Sequence, residues 1–230
     1  MAKSEYAREV DEILRQIRPL LAERGFKIRG RTFNRITGDG LTQVVGFQMG
    51  ASDPPGTFHI PGLRENLHGF FTVNLGVYVP EVARHGVGRI DATWKQDYDC
   101  CVRTRIAGAC GEQRDLWWQA SAEPSILNDV RRRLSLWGLP FLDRFSTRDR
   151  ILHEWRDQAE SVGLSMRPRD VMAIILAGRG ERDRARELLV LEAASARHRA
   201  RRENVLIQAR VLGLGDLDEP PVRPDSTATP

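Results

Sequence analysis

The clearest pattern in the chain is an alternation of apolar and polar side chains over residues 70–79. One parity carries Phe71, Val73, Leu75, Val77 and Val79, and the other carries Thr72, Asn74 and Gly76. A period of two is typical of a β-strand with one face against a core and the other face outward. Pro80 follows and cannot donate to a sheet, so the strand is predicted to end there.

Similar patterns predict further strands over residues 26–28, 31–37, 41–49, 98–106 and 116–120. The second and third of these are separated by Thr37-Gly38-Asp39-Gly40. Glycines tolerate the positive φ of tight hairpin turns, so this segment is predicted to join two neighbouring strands. Hairpin connections indicate an antiparallel sheet.

Residues 4–24 have the spacing of an amphipathic helix. The apolar stripe consists of Val10, Ile13, Leu14, Ile17, Leu20 and Leu21. Such a stripe at intervals of three and four predicts a helix packed along one face. Pro19 lies inside it and predicts a kink or an end one turn early, and Gly25 is a natural C-terminal cap.

The second half of the chain changes to helical spacing over residues 126–137, 151–162, 169–177 and 183–211. Gly138 and Pro140 are predicted to end the first of these helices, and Ser146 with Asp149 resembles a capping box before the second. The segment 213–230 is rich in proline and acidic residues, which is typical of disorder. The expected organisation is an α+β domain over 1–145, a helical region over 146–212 and a disordered tail over 213–230.

Several segments together resemble a bacterial family known as domain of unknown function 4304 (DUF4304). They are residues 25–27, 30–35, 40–48, 71–80 and 101–106, followed by Trp117-Trp118. The segments occur in order, and the resemblance covers roughly residues 5–120. It implies an α+β domain and a bacterial source, and it implies no activity. The helical part beyond residue 146 lies outside it.

Composition and charge narrow the class of protein. The 230 residues are 41% hydrophobic and 29% charged, which is ordinary for a globular domain. The formal net charge is only +4, and every basic residue except Lys3, Lys27 and Lys95 is arginine. We interpret this as a genome-wide preference for arginine codons rather than phosphate recognition. No N-terminal signal segment or membrane-spanning apolar run is present in the sequence, so we expect a cytoplasmic protein with reduced thiols.

The leading candidate site is the outward face of the predicted sheet. Gln48 and Asn74 lie mid-strand, and Arg31, Asn34 and Arg35 lie on a neighbouring strand. If the strands pair, these amides and guanidinium groups would form a donor cluster for a carboxylate, a phosphate or a peptide. The alternative is a solvated face, or polar groups that bind the backbone of a covering loop. The site hypothesis predicts a non-enzymatic binding module, such as an inhibitor or immunity-type partner of another bacterial protein.

A second hypothesis is nucleic-acid binding through the C-terminal helix. Its basis is the run that contains Arg197, Arg199, Arg201 and Arg202, which could contact phosphates. Acidic residues lie nearby, however, and the spacing of Arg199 and Glu203 favours an ion pair along a solvated helix face.

A third hypothesis is a metal-dependent hydrolase that uses the loop containing His59 and His68. Asp53 and Glu65 share this loop, but the spacing is loose and no His-x-x-x-His pair occurs. Solvated loop residues explain the pattern better. We therefore predict no cofactor and no metal, and we favour a binding module over an enzyme.

The chain has three cysteines, an odd number: Cys100, Cys101 and Cys110. The first two are adjacent and would point to opposite faces of a strand, so they cannot jointly hold a metal ion. A nucleophilic role would require a nearby base such as His85. Small buried residues are the simpler interpretation.

Overall fold

The structure is a computed structural model that describes residues 4–51, 58, 66–85, 90–156 and 167–217. The chain divides into two compact units. The first contains the described residues up to Glu154, and the second contains those from Trp155 onward. The predicted role of the loop around His59 and the predicted disorder beyond residue 217 concern residues outside the described part.

The first unit begins with helix α1 (Glu5–Glu23) and continues into a sheet. Its strands are β1 (Lys27–Arg29), β2 (Thr32–Ile36), β3 (Thr42–Met49), β4 (Phe70–Tyr78), β5 (Val102–Arg105) and β6 (Trp118–Gln119). Short helices α2 (Pro80–Ala83) and α3 (Ile106–Ala109) and a 3₁₀ turn (Asp97–Asp99) lie between the later strands. The unit ends with α4 (Pro124–Arg133), a π-helical turn (Leu134–Gly138), α5 (Leu139–Arg144) and α6 (Arg148–Glu154).

The six strands form one antiparallel sheet, in which β1, β2, β3, β4 and β5 are successive neighbours. The short strand β6 pairs with the first residues of β4. An N-terminal helix, an antiparallel sheet and later helices make an α+β fold, as the sequence predicted.

The larger core of the first unit lies on one face of the sheet, which we call the inner face, and a smaller buried cluster on the other face consists of Val44, Tyr78, Ala83 and Cys100. An aromatic row crosses four strands on this face, with Phe33, Phe47, Phe71 and Trp118 in contact at ring-centroid distances of 6.1, 6.2 and 5.4 Å. The apolar stripe of α1 is buried at Val10, Ile13, Leu14, Ile17 and Leu21. The odd positions of β4 face this core, as the alternation over residues 70–79 predicted. The even positions Thr72, Asn74 and Tyr78 are buried as well, so the other face of β4 is covered and does not face solvent.

Two helix boundaries differ from expectation for a local reason. α1 continues through Pro19 to Glu23, because burial of Ile17 and Leu21 outweighs the single backbone hydrogen bond that proline removes. Pro140 does not end a helix, because the helical backbone continues from α4 through the π-helical turn into α5, of which Pro140 is the second residue.

The second unit is built from α7 (Pro168–Gly178), α8 (Arg182–Ser195) and α9 (Arg199–Val211). The sequence predicted one continuous helix over residues 183–211, and the structure breaks it at residues 196–198. α8 packs against both α7 and α9. None of the described helices of either unit is long and apolar enough to cross a bilayer.

Candidate functional site

The register of the strands divides the five predicted site residues between two faces of the sheet. Arg35 pairs with Gln43 and shares the inner face with Phe33, whereas Asn34 faces the opposite way. Gln48 and Asn74 lie on the same side as Asn34, which we call the outer face. Arg31 has the parity of Arg35, so the five residues do not converge on one face.

The two inner-face arginines tie helices to the sheet. Arg35 donates to Gln43 Oε1 at 2.7 Å and to the Arg24 carbonyl at 3.1 Å, and it forms an ion pair with Asp143 at 2.5 Å. Arg31 forms an ion pair of 3.4 Å with Asp11 of α1. Their guanidinium groups are therefore engaged within the fold.

Asn34 also has a partner inside the fold. Its side-chain amide donates to the Lys95 carbonyl at 2.9 Å and accepts from the Lys95 N–H at 2.8 Å. Asn34 is only 7% exposed. Asn34 therefore is not part of an open ligand site, because its amide binds the backbone of a segment that covers the sheet.

The covering segment, residues 94–100, lies close against the outer face of β3 and β4. A Cβ added at Gly76 would lie 2.7 Å from Cys100 Sγ, and one added at Gly46 would lie 3.3 Å from Asp97 Oδ1. Thr32 Oγ1 donates to Gln96 Oε1 at 2.7 Å and adds a further anchor. The two glycines of the central strands thus give the segment room to approach.

Gln48 and Asn74 contact each other on the outer face and line a cavity there. Asn74 Nδ2 donates to Gln48 Oε1 at 2.8 Å, and the pair borders a cavity of about 330 Å³ that we call the outer-face pocket. Its walls include Asp97 of the covering segment, Arg103 and Arg105 of β5, and Asp115 of the loop that follows α3. Two predicted site residues thus line one cavity.

The outer-face pocket has charged walls whose geometry is held by ion pairs. Arg103 pairs with Asp97 at 2.9 Å, and Arg105 pairs with Asp115 and lies 5.1 Å from the centre of the Trp117 ring. The two arginine side chains are 33% and 34% exposed. Partly open guanidinium groups of fixed direction are suited to carboxylates and other planar oxyanions.

The amide pair at the floor keeps unused hydrogen-bonding capacity. Each side-chain amide supplies one carbonyl oxygen and one NH₂ group. The mutual bond engages the Gln48 oxygen and the Asn74 nitrogen, so the Gln48 nitrogen and the Asn74 oxygen have no partner among the described residues. One donor and one acceptor are therefore presented side by side at the pocket floor.

The four arginines of the nucleic-acid hypothesis differ in their burial and in their partners. Arg201 pairs with the buried Asp170 at 2.5 Å and with the buried Glu192 at 2.9 Å, and Arg199 pairs with Glu203 at 2.7 Å. Arg197 precedes α9, and Arg202 is an exposed residue on it. Arg201 is thus engaged by buried carboxylates, whereas the Arg199–Glu203 pair is exposed and contributes little stability.

The thiols have properties opposite to those of a nucleophile. Cys100 and Cys101 are buried, and burial raises the pKa of Cys101 to about 12 and that of Cys100 well above its usual range. Burial also raises the pKa of Cys110, against the lowering effect of Arg133. A reactive cysteine needs a lowered pKa. Cys100 and Cys101 are small buried residues, as expected, whereas Cys110 is only partly buried and accepts a hydrogen bond from Arg133 at 3.4 Å.

The structure gives no support to a metal centre within its described part. No group of three or more histidine, cysteine, aspartate or glutamate side chains lies close enough there to hold a metal ion. His68 instead makes an edge contact with Tyr6 at 5.2 Å. His59, Asp53 and Glu65, which complete the metal hypothesis, lie outside the described residues.

Sequence reasoning missed Arg103, Arg105, Asp97 and Asp115. A signal for two of them was present, because Arg103 and Arg105 share one parity of a predicted strand. Their position beside Asn74 depends on the β4–β5 register, in which Asn74 pairs with Arg105. That register was not predictable, because the connection between the strands is long.

A comparison of the chain with protein-family models, curated proteins and solved structures found no match. The resemblance to the DUF4304 family therefore stays a prediction, and the case for a function depends on the site alone.

Proposed function

We propose that the chain is a non-enzymatic binding module that receives an extended, carboxylate-bearing segment of another protein in its outer-face pocket. The observation that carries the proposal is the amide pair Gln48–Asn74, with one free donor and one free acceptor beside Arg103 and Arg105. A peptide group has one acceptor and one donor of its own, which matches the floor of the pocket.

Arg103 and Arg105 support a ligand that carries a carboxylate, in a lining that also contains Asp97, Glu112 and Asp115. Asp115, the partner of Arg105, is 57% exposed and lies on a loop. An exposed ion pair of this kind contributes little stability, so an incoming carboxylate can replace Asp115 at small cost. Arg105 remains oriented meanwhile by its contact with the Trp117 ring.

The size of the pocket also supports a short segment rather than a whole surface. A volume of about 330 Å³ lies at the lower end of the range of roughly 300–1,000 Å³ for ligand pockets. The segment would place one acidic side chain and one or two peptide groups against the site.

The test is a selection of peptides from a displayed random library with the full chain, followed by affinity measurement. We expect the selected peptides to be rich in Asp or Glu. Arg105→Ala should weaken their binding about tenfold to a hundredfold, because charge-assisted hydrogen bonds contribute about 1.5–3 kcal/mol. Gln48→Ala should weaken it up to about tenfold, since a neutral hydrogen bond contributes about 0.5–1.5 kcal/mol.

The control is Arg15→Ala, which removes an exposed arginine that is also held in an ion pair, with Glu12 on α1. Its affinity should equal that of the wild type. Peptides that bind all four proteins equally would refute the proposed site. An inhibitor or immunity-type role further predicts that the activity of the peptide's parent protein falls when the wild-type chain is added.

Nucleic-acid binding through Arg197, Arg199, Arg201 and Arg202 is the alternative proposal. The pairing of Arg199 and Arg201 with carboxylates weighs against it. It predicts binding to DNA or RNA whose logarithmic affinity falls linearly with the logarithm of salt concentration. A labelled oligonucleotide that shows no binding at low salt would remove this alternative.

A further inference from the structure

The second unit contains a small cavity whose lining is almost wholly basic. It has a volume of about 240 Å³ and is lined by Arg167, Ser195, Arg197, His198 and Arg201. We propose that this cavity, which we call the basic pocket, binds the phosphate group of a small phosphate monoester. The proposal concerns a different unit from the outer-face pocket and goes beyond the proposed function.

The side chains that line the basic pocket match the chemistry of phosphate. Three are arginines, one is a histidine and one is a hydroxyl, and the described lining includes no carboxylate. A guanidinium group binds two phosphate oxygens in parallel. The Ser195 hydroxyl donates to the Glu192 carbonyl at 3.1 Å, so the arginines carry the recognition.

A buried carboxylate orders the arginines before any ligand arrives. Glu192 is fully buried, and Arg167, Arg169 and Arg201 surround it at 3.1, 3.8 and 2.9 Å. Arg201 also pairs with the buried Asp170. The guanidinium groups of Arg167 and Arg201 are thus held in place at the pocket, which lowers the entropy cost of binding.

The positive charge at this site exceeds what the two carboxylates can neutralise. Arg167, Arg169 and Arg201 already outnumber Asp170 and Glu192, and Arg197 adds a further charge. Arg197 is exposed and has no ion-pair partner in the part of the chain that the structure describes. A dianionic phosphate would neutralise this excess positive charge.

The backbone adds to the field of the side chains. Arg167 and His198 are the residues immediately before α7 and α9, and neither helix start has a side-chain cap. Helix starts carry partial positive charge and free N–H groups, which favour an anion nearby. The lining side chains remain the basis of the proposal.

The geometry favours a terminal phosphate over a nucleic-acid backbone. Arg199 and Arg202, which a backbone-binding surface would use, are not part of the lining. A monoester also offers three terminal oxygens and up to two charges, whereas a phosphodiester offers one charge.

The experiment is calorimetric titration of the full chain with inorganic phosphate and with a nucleoside monophosphate, at constant ionic strength against chloride. Saturable binding of either ligand is expected. Arg197→Ala should weaken it about tenfold or more, since it removes a charge-assisted contact. Arg197 is exposed and unpaired in the described structure, so this variant should keep the wild-type circular dichroism and melting temperature.

Arg199→Ala is the matched control, because Arg199 is exposed, pairs with Glu203 and lies outside the lining. Its affinity for phosphate should equal that of the wild type. Binding of the monophosphate but not of inorganic phosphate would assign the site to an organic ester. No saturable binding of either, equal affinity in Arg197→Ala, or binding of a polynucleotide alone would overturn the proposal.

Discussion

Replacement of Asn34 by alanine is expected to destabilise the first unit rather than to remove a ligand contact. The side-chain amide closes two hydrogen bonds with the Lys95 backbone, at 2.8 and 2.9 Å, and is 7% exposed. An unsatisfied buried polar group costs about 1–3 kcal/mol, and Asn34→Ala leaves two such groups. Because residues near Lys95 are only half-buried, water can reach part of the break, and we expect a loss of about 2–4 kcal/mol.

The assay is urea denaturation together with amide hydrogen exchange. The Lys95 amide donates to Asn34 Oδ1, so its exchange should accelerate strongly in the variant. Asn34→Asp should be at least as harmful, since it keeps the acceptor but points a carboxylate at the Lys95 carbonyl. Asn128→Ala, at an exposed position of α4, should stay within about 0.5 kcal/mol of the wild type.

One result would refute this reasoning. If Asn34→Ala left the urea midpoint and the Lys95 exchange rate unchanged, the amide would not anchor the covering segment. A loss of peptide affinity in such a stable variant would instead return Asn34 to the role of a contact residue that the sequence suggested.

Three further predictions concern the same unit. Gly76→Ala should lower stability by about 1–3 kcal/mol in urea denaturation, because its Cβ would meet Cys100 Sγ at 2.7 Å; an unchanged midpoint would contradict this close packing. Burial raises the pKa of Glu81, but hydrogen bonds from Arg148 outweigh it and lower that pKa below the ordinary 4.5. Glu81 therefore stabilises the fold fully above pH 4.5 and less as the pH falls below it, so the stability gap to Glu81→Gln should shrink in acid; a constant gap would exclude this linkage. Cys101 should resist a thiol reagent in the folded protein at pH 8 and react in urea, and equal rates in both would be inconsistent with its raised pKa.

The sequence predicted which side chains of β4 face the core, because successive side chains of a strand point to opposite faces of the sheet. The period of two in β4 identified the odd positions as core. The hairpin turn after β2 pairs Arg35 with Gln43 and so places Arg31 and Arg35 with Phe33 on the inner face. Counting alternate residues through this turn places Arg31 and Arg35 on the face of the sheet opposite to Gln48.

The rest of the candidate site depends on contacts between distant segments. Residues 94–100 mix aromatic and charged side chains and overlap the start of the strand predicted over residues 98–106. They instead cover the sheet, because Gly46 and Gly76 leave room and Asn34 binds the Lys95 backbone. Nothing local in either segment indicates this contact. For the same reason the pairing of Arg105 with Asp115 became visible only with the fold.

The break between α8 and α9 has a similar origin. Glu192 at the end of α8 and Arg201 at the start of α9 are brought together when the chain turns at residues 196–198. The helical spacing continues through this segment, so periodicity alone predicted one long helix.

The most direct test of the account is an NMR titration of the full chain with a selected acidic peptide, observed at the side-chain amides of Gln48 and Asn74. If the outer-face pocket receives the peptide, both NH₂ signals should shift along one saturable curve, and Arg105→Ala should move that curve to higher peptide concentration. Saturable binding that leaves the Gln48 and Asn74 signals in place would contradict the account.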